Sequence, residues 1–247
     1  MFPLSDDNPH FLAPITTCVL ITLNVLAWIF VQRLGSESGL GASICALGLV
    51  PGELLRTLAP GTRLEIVPGT YCVLSASPNW FTPVTHMFLH GGWLHLIGNM
   101  VFLWVFGDNV EAVMGHFGYL IFYLAGGLAA TAAHIFFNLG SSVPSVGASG
   151  AISAALGAYI VMFPRSQVRT LIFLGLWTTV TRISAVFFLG IWFAIQLFSG
   201  ITSISNTAQS GGVAVWAHIG GFAFGVVLGF LFKGKASRLN FGGPQAY

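Results

Sequence analysis

The sequence predicts an all-α, polytopic membrane protein, a bundle of six transmembrane helices with a long first loop, and three observations carry that prediction. Of the 247 residues, 55% are apolar and 6% charged, against roughly a quarter charged in an average soluble domain. Nine Lys+Arg and seven Asp+Glu cannot supply the polar surface that a water-facing chain of this length needs, so the surface faces lipid. Apolar runs of about the length that crosses a bilayer, roughly 17 to 25 residues, recur six times. Backbone in lipid must be paired within its own segment, and the alternating strands of a closed barrel are missing, so the runs read as helices.

Residues 1–12 read as a short cytoplasmic tail. They hold no Lys or Arg, and no small-residue cleavage site follows the first run, so the first segment is expected to stay in the mature protein. The first span is 13–31. A loop over 32–91, rich in Gly, Pro and Ser, is too long to be a mere connector. It holds Cys45 and Cys72, which could pair if the loop is extracytoplasmic; free thiols are the default expectation. Spans at 92–107, 119–138, 149–163, 183–199 and 213–232 follow, and 233–247 forms a second cytoplasmic tail. The stretch 168–182, with Arg169, Trp177 and Arg182, reads either as an interfacial segment or as part of a longer, tilted fifth span. Six spans put Arg165, Arg169, Arg182, Lys233, Lys235 and Arg238 on one side, which the positive-inside rule makes cytoplasmic, together with both termini. That orientation fits a plasma or inner membrane. A net charge of +2 from so few groups forms no basic patch, so no nucleic-acid partner is expected.

Polar side chains at membrane depth are costly, and each is weighed against simple helix–helix hydrogen bonding. Five stand out: His90, His95, Asn99, Ser149 and His218. The second, fourth and sixth spans run in the same direction, and all five residues lie near the entry ends of these helices, so they can share one depth. His95 and Asn99 are four apart and project from one helix face. Ser149 lies in Gly147-Ala148-Ser149-Gly150 at the start of a run too short to cross the bilayer, so that helix begins below the membrane surface. A plain N-cap is the bland reading of that serine. An exposed helix N-terminus also offers backbone N–H donors to a developing oxyanion. His218 stands just before a repeat of Gly221, Gly225 and Gly229, and Gly150, Ala154 and Ala158 repeat in the fourth span. Such faces let two helix backbones approach closely. If they meet, Ser149 and His218 come together at the top of the contact.

A nucleophile, a base and oxyanion donors are the parts of acyl transfer, and Ser149, His218 and the His95/Asn99 pair supply them. The carboxylates lie in the tail, the loops or at the cytoplasmic edge, so a Ser–His dyad is implied, the imidazole being held by packing. No His is followed by Glu, as a zinc protease helix requires. His86, His90 and His95 form a possible metal set without an acidic neighbour. An aspartic mechanism needs two carboxylates at one depth, and only Asp108 is near a span.

The chain resembles the rhomboid family of intramembrane serine proteases. The resemblance rests on His86-Met87-Phe88-Leu89-His90-Gly91-Gly92-Trp93-Leu94-His95-Leu96-Ile97-Gly98-Asn99-Met100, on Phe106-Gly107-Asp108-Asn109-Val110-Glu111, on Gly147-Ala148-Ser149-Gly150 and on Ala217-His218 with its glycine repeat, in that order over about 80–235. It implies Ser149 as nucleophile, His218 as general base, and His95, Asn99 and the Ser149 backbone N–H as oxyanion donors. It implies six core helices, single-span membrane-protein substrates cut in or near the bilayer, and no metal or cofactor. Lateral entry of the substrate is expected to involve the fifth helix and the loop before the last span. Two departures stand out. Trp80 is followed by Phe81, where many members carry Trp-Arg, and Ser153 replaces the aromatic residue four after the serine in some members. The imidazole must then be oriented by another group, Trp216 or a water being the candidates. An inactive relative acting as a membrane-protein binding or quality-control scaffold is the main rival, and a small transporter or channel the second.

Overall fold

A computed structural model describes residues 1–9, 12–67, 69–174, 177–205 and 214–241. The loop before the last span, 206–213, and the end of the C-terminal tail, 242–247, lie outside the described residues.

The chain is mostly helical. Strand β1 (Phe2–Asp6) leads to α1 (Ile15–Leu26), which continues as a π-helical turn (Ala27–Val31). Next come α2 (Glu37–Leu47), α3 (Pro51–Leu54), the hairpin β2 (Arg63–Val67) and β3 (Thr70–Val73), and α4 (Thr82–Thr85). The bundle is completed by α5 (Trp93–Met114), α6 (His116–Phe137), α7 (Ser149–Met162), the hairpin β4 (Gln167–Leu174) and β5 (Trp177–Ser184), α8 (Ala185–Ser205) and α9 (Val215–Phe241). Four of these helices are long and apolar enough to cross a membrane: 93–114, 116–137, 185–202 and 215–239. Residues 15–31 and 149–162 form shorter apolar helices. Gly115, at φ +78°, makes the sharp break between α5 and α6 that a side chain would strain.

Two expectations need correction. Residues 168–182 are not an extension of the fifth span but a separate hairpin ahead of it. β4 and β5 pair antiparallel without a register shift from Gln167↔Ser184 to Leu174↔Trp177, and β1 adds to β4 as the third strand. Alternating β-branched residues drive this: Val168 and Thr170 are buried on one face while Arg169 and Phe173 are exposed on the other. The N-terminal segment, read as a tail, thus contributes β1 to a sheet. The second correction concerns the thiols. Cys45, on α2, and Cys72, on β3, form a disulfide, with Cα atoms 5.4 Å apart. Cys72 packs with Val50, Leu64 and Leu74 into a small apolar cluster that gives the 32–91 segment a core of its own.

Two carboxylates, Glu111 and Asp6, tie down the end of the bundle where α5 meets α6. Glu111 is fully buried and accepts from the Thr16 and Thr17 backbone N–H groups (2.7 and 2.8 Å), from the Thr17 hydroxyl and from His116. It caps α1, whose N-cap position, Pro14, makes no side-chain cap. Asp6 accepts from Asn8, Asn109 and the Tyr159 hydroxyl, which fastens β1 to α5 and α7.

Candidate active site

At the opposite end of the bundle, α7 and α9 run parallel with their small faces in register. A Cβ added to Gly221 would overlap the Gly150 carbonyl oxygen, one at Gly225 the Ala154 carbonyl oxygen, and one at Gly229 would stand 3.0 Å from Ala158 Cα. Backbone therefore packs on backbone over two turns, as small-residue faces permit. One turn above this contact, the Ser149 hydroxyl lies 2.7 Å from His218 Nε2, within hydrogen-bond range. α7 begins at Ser149 itself, with Ala148 in the N-cap position and no side-chain cap, so Ser149 is not the capping residue. Its hydroxyl goes to the imidazole instead.

His95, on the first turn of α5, faces this pair. The Gly91 backbone N–H donates to His95 Nδ1 at 3.2 Å, which leaves the hydrogen of a neutral ring on Nε2. That nitrogen points at Gly147, where an added Cβ would lie 2.9 Å from the His95 ring and 3.4 Å from Ser149 Oγ. Gly147, at φ +137°, is thus required both by backbone and by space. Asn99 is buried, and its amide nitrogen has no partner among the described residues. His90 stacks edge-to-face on His95 at 5.2 Å and is itself fully buried. The Gln32 side chain brackets the His90 backbone, donating to its carbonyl and accepting from its N–H, both at 2.7 Å. Loop 145–147 is pinned in turn by the Leu49–Ser145 bridge and by the Gly147 N–H donating to the His86 carbonyl at 2.9 Å. His86 turns away from the other histidines, its Nε2 lying 2.9 Å from the Thr131 hydroxyl. The three histidines therefore do not converge on one point.

Sequence reasoning missed the group on the far side of His218. Gln196 of α8 places its Oε1 2.8 Å from His218 Nδ1. One turn earlier, the Trp192 ring lies 5.8 Å from the imidazole. Trp216, the candidate named from sequence, stacks instead on Phe137 at 3.7 Å. A signal was there to be used: Gln196 is an amide in the apolar run 185–198, and a polar side chain at that depth is a functional candidate.

Residues 77–235 match the Rhomboid domain family. This chain belongs to the rhomboid family. Rhomboid protease GluP of Bacillus subtilis is 34% identical over 158 residues, 63% of this chain and 27% of that protein. RHOMBOID-like protein 4 of Arabidopsis thaliana is 33% identical over 185 residues, 74% of this chain and 40% of that protein. Presenilin-associated rhomboid-like protein A, mitochondrial, of Danio rerio is 33% identical over 86 residues, 34% of this chain and 22% of that protein. The matched part thus covers between 22% and 40% of these relatives' own length. With its apolar helices, this rhomboid is an integral, multi-pass membrane protein.

Proposed function

We propose that this rhomboid is an intramembrane serine endopeptidase that hydrolyses peptide bonds in or near the transmembrane segments of single-span membrane-protein substrates. The reading rests on one observation above all, the 2.7 Å approach of Ser149 Oγ to His218 Nε2 at a helix N-terminus. Ser149 is the nucleophile and His218 the general base. As Oγ attacks the scissile carbonyl, its proton passes to Nε2, and the imidazolium then returns a proton to the departing amine. A water, deprotonated by the same nitrogen, releases the acyl group. The tetrahedral oxyanion is met by the Ser149 backbone N–H, the Asn99 amide and the His95 Nε2–H. Those donors are already held by the protein fold, so they need little reorganisation when charge develops.

In this reading six helices span the membrane. α7 is 14 residues long, about 21 Å at 1.5 Å per residue, against a hydrocarbon core of roughly 30 Å, so Ser149 lies below the surface with the 139–148 loop dipping in behind it. The Cys45–Cys72 disulfide favours an oxidising compartment for the 32–91 segment. Both termini are then cytoplasmic, in a plasma or inner membrane, as the basic residues also indicate. The mechanism draws on protein groups and the attacking water.

Labelling of the purified protein by a fluorophosphonate probe, compared with Ser149→Ala and His218→Ala, tests the proposal. Labelling is expected in the wild type and in neither variant. A folded wild type that stays unlabelled would favour the scaffold reading.

A further inference from the structure

A base that takes a proton on Nε2 must carry its own hydrogen on Nδ1, and something must hold it in that tautomer. Among the described residues, no carboxylate is hydrogen-bonded to His218. We propose that Gln196 is the positioning residue of His218: its Oε1 accepts the Nδ1–H, which fixes the tautomer and the ring plane. The inference rests on the Ser149–His218 reading and adds a third member to it.

Three observations carry the argument. The Gln196 Oε1–His218 Nδ1 distance is 2.8 Å, within hydrogen-bond range, and Ser149 Oγ sits on the other ring nitrogen at 2.7 Å, so the three groups form one chain of donors and acceptors. Trp192 lies one helical turn from Gln196 and stands 5.8 Å from the imidazole, so α8 contacts the ring through both residues. Ser153, one turn after Ser149 on α7, turns its hydroxyl to the Ser149 carbonyl at 2.6 Å and offers the imidazole no ring.

The Ser149 O–H bond breaks as the Oγ–carbonyl bond forms, and the proton joins Nε2; Nδ1 keeps its hydrogen throughout. The Nδ1–H to Oε1 hydrogen bond becomes charge-assisted as the imidazolium forms, which strengthens it where the transition state needs it. An amide oxygen offers less than a carboxylate would, so the expected effect is smaller than that of a triad aspartate.

The competing role for Gln196 is glue between α8 and α9. The full-length protein in bicelles separates the two. The second-order rate of fluorophosphonate labelling would be measured against pH for the wild type, Gln196→Leu and Gln196→Glu, with melting temperatures alongside. Gln196→Leu is expected to label about 10–100-fold more slowly with an unchanged melting temperature. Gln196→Glu is expected to recover most of the rate and to shift the midpoint of the pH profile upward by about one unit, because a carboxylate stabilises the imidazolium. A wild-type rate in Gln196→Leu, a loss that only follows the melting temperature, or a midpoint unmoved in Gln196→Glu would overturn the proposal. Imidazole 15N shifts, assigned to His218 by difference from His218→Ala, read the tautomer without any activity. The Nδ1-protonated form is expected in the wild type and a mixture in Gln196→Leu. An unaltered tautomer in Gln196→Leu would sink the positioning role even if Ser149 proves reactive, while absent labelling with the expected tautomer change would sink the protease reading alone.

Discussion

Two helix contacts meet at His218, and they are built on opposite principles. Between α7 and α9, backbone lies on backbone: the Cβ that Gly221 or Gly225 lacks would overlap a carbonyl oxygen of the facing helix. Between α8 and α9, side chains fill the gap. Phe193 stacks on Phe222 at 4.4 Å, and a Cβ on Gly200 would meet the end of Ile219 at 3.0 Å and the Trp216 ring at 3.4 Å. α8 is buried mainly at its first turn, by Ala185, Phe188 and Leu189, while Ile195, Phe198 and Ile201 further along are exposed. Ser149 and His218, the proposed nucleophile and base, therefore sit on an unyielding pair of helices, and Gln196, the proposed positioning residue, on one that can give.

The same substitution distinguishes the two contacts. Gly225→Ala puts a methyl group into the Ala154 carbonyl, and neither backbone can retreat without moving its whole helix. Overpacking of this kind costs about 1–3 kcal/mol, which a thermal melt would detect. The Ser149–His218 distance lies one to two turns above the contact and would change with it, so labelling of Ser149 should fall roughly 100-fold, the penalty of about 1 Å of misplacement. Normal labelling in a Gly225→Ala protein would show that something other than this contact sets the distance.

Gly200→Ala should behave otherwise. The new methyl meets the flexible end of Ile219, which can turn aside, and alanine gains up to about 1 kcal/mol of helix propensity over glycine. The expected result is an unchanged or slightly raised melting temperature with labelling near the wild-type rate. A loss as large as that of Gly225→Ala would mean that α8 is held as rigidly as α7, and the contrast between the two contacts would disappear.

Which parts of this were legible in the sequence follows from the same distinction. Repeats of small residues announce a close contact, so Gly221, Gly225 and Gly229 and their counterparts Gly150, Ala154 and Ala158 could be matched from spacing, and Ser149 with His218 followed. Apolar runs marked out the long helices for the same reason, since lipid imposes a length and a composition. Side-chain contacts leave no such periodic trace. Gln196 was visible as a polar residue in an apolar run, but its partner depended on which face of α8 meets α9. The Cys45–Cys72 disulfide required knowing that α2 packs on β3, which separation along the chain does not reveal. The β4–β5 hairpin was hidden because an arginine and a tryptophan near a membrane suggest an interface whatever the backbone does; the alternation of Val168, Thr170 and Ile172 was the missed clue.

The smallest expected effect comes from removing atoms at the α7–α9 contact instead of adding them. Ser153 is fully buried, and its hydroxyl donates to the Ser149 carbonyl at 2.6 Å, four residues back along the same helix. That bond supplements the regular helix ladder, in which the same carbonyl is already an acceptor, so its loss leaves no buried group without a partner. Ser153→Ala takes away one oxygen and lets the Gly221 face keep its place, with the Ser153 Cβ position retained at the contact. The melting temperature should shift by no more than the equivalent of about 1 kcal/mol, and labelling of Ser149 should stay at the wild-type rate. If labelling dropped sharply while the melt stayed the same, the Ser153 hydroxyl would be shaping the first turn of α7, and the position of Ser149 would depend on that local bond as well as on the close approach of two backbones.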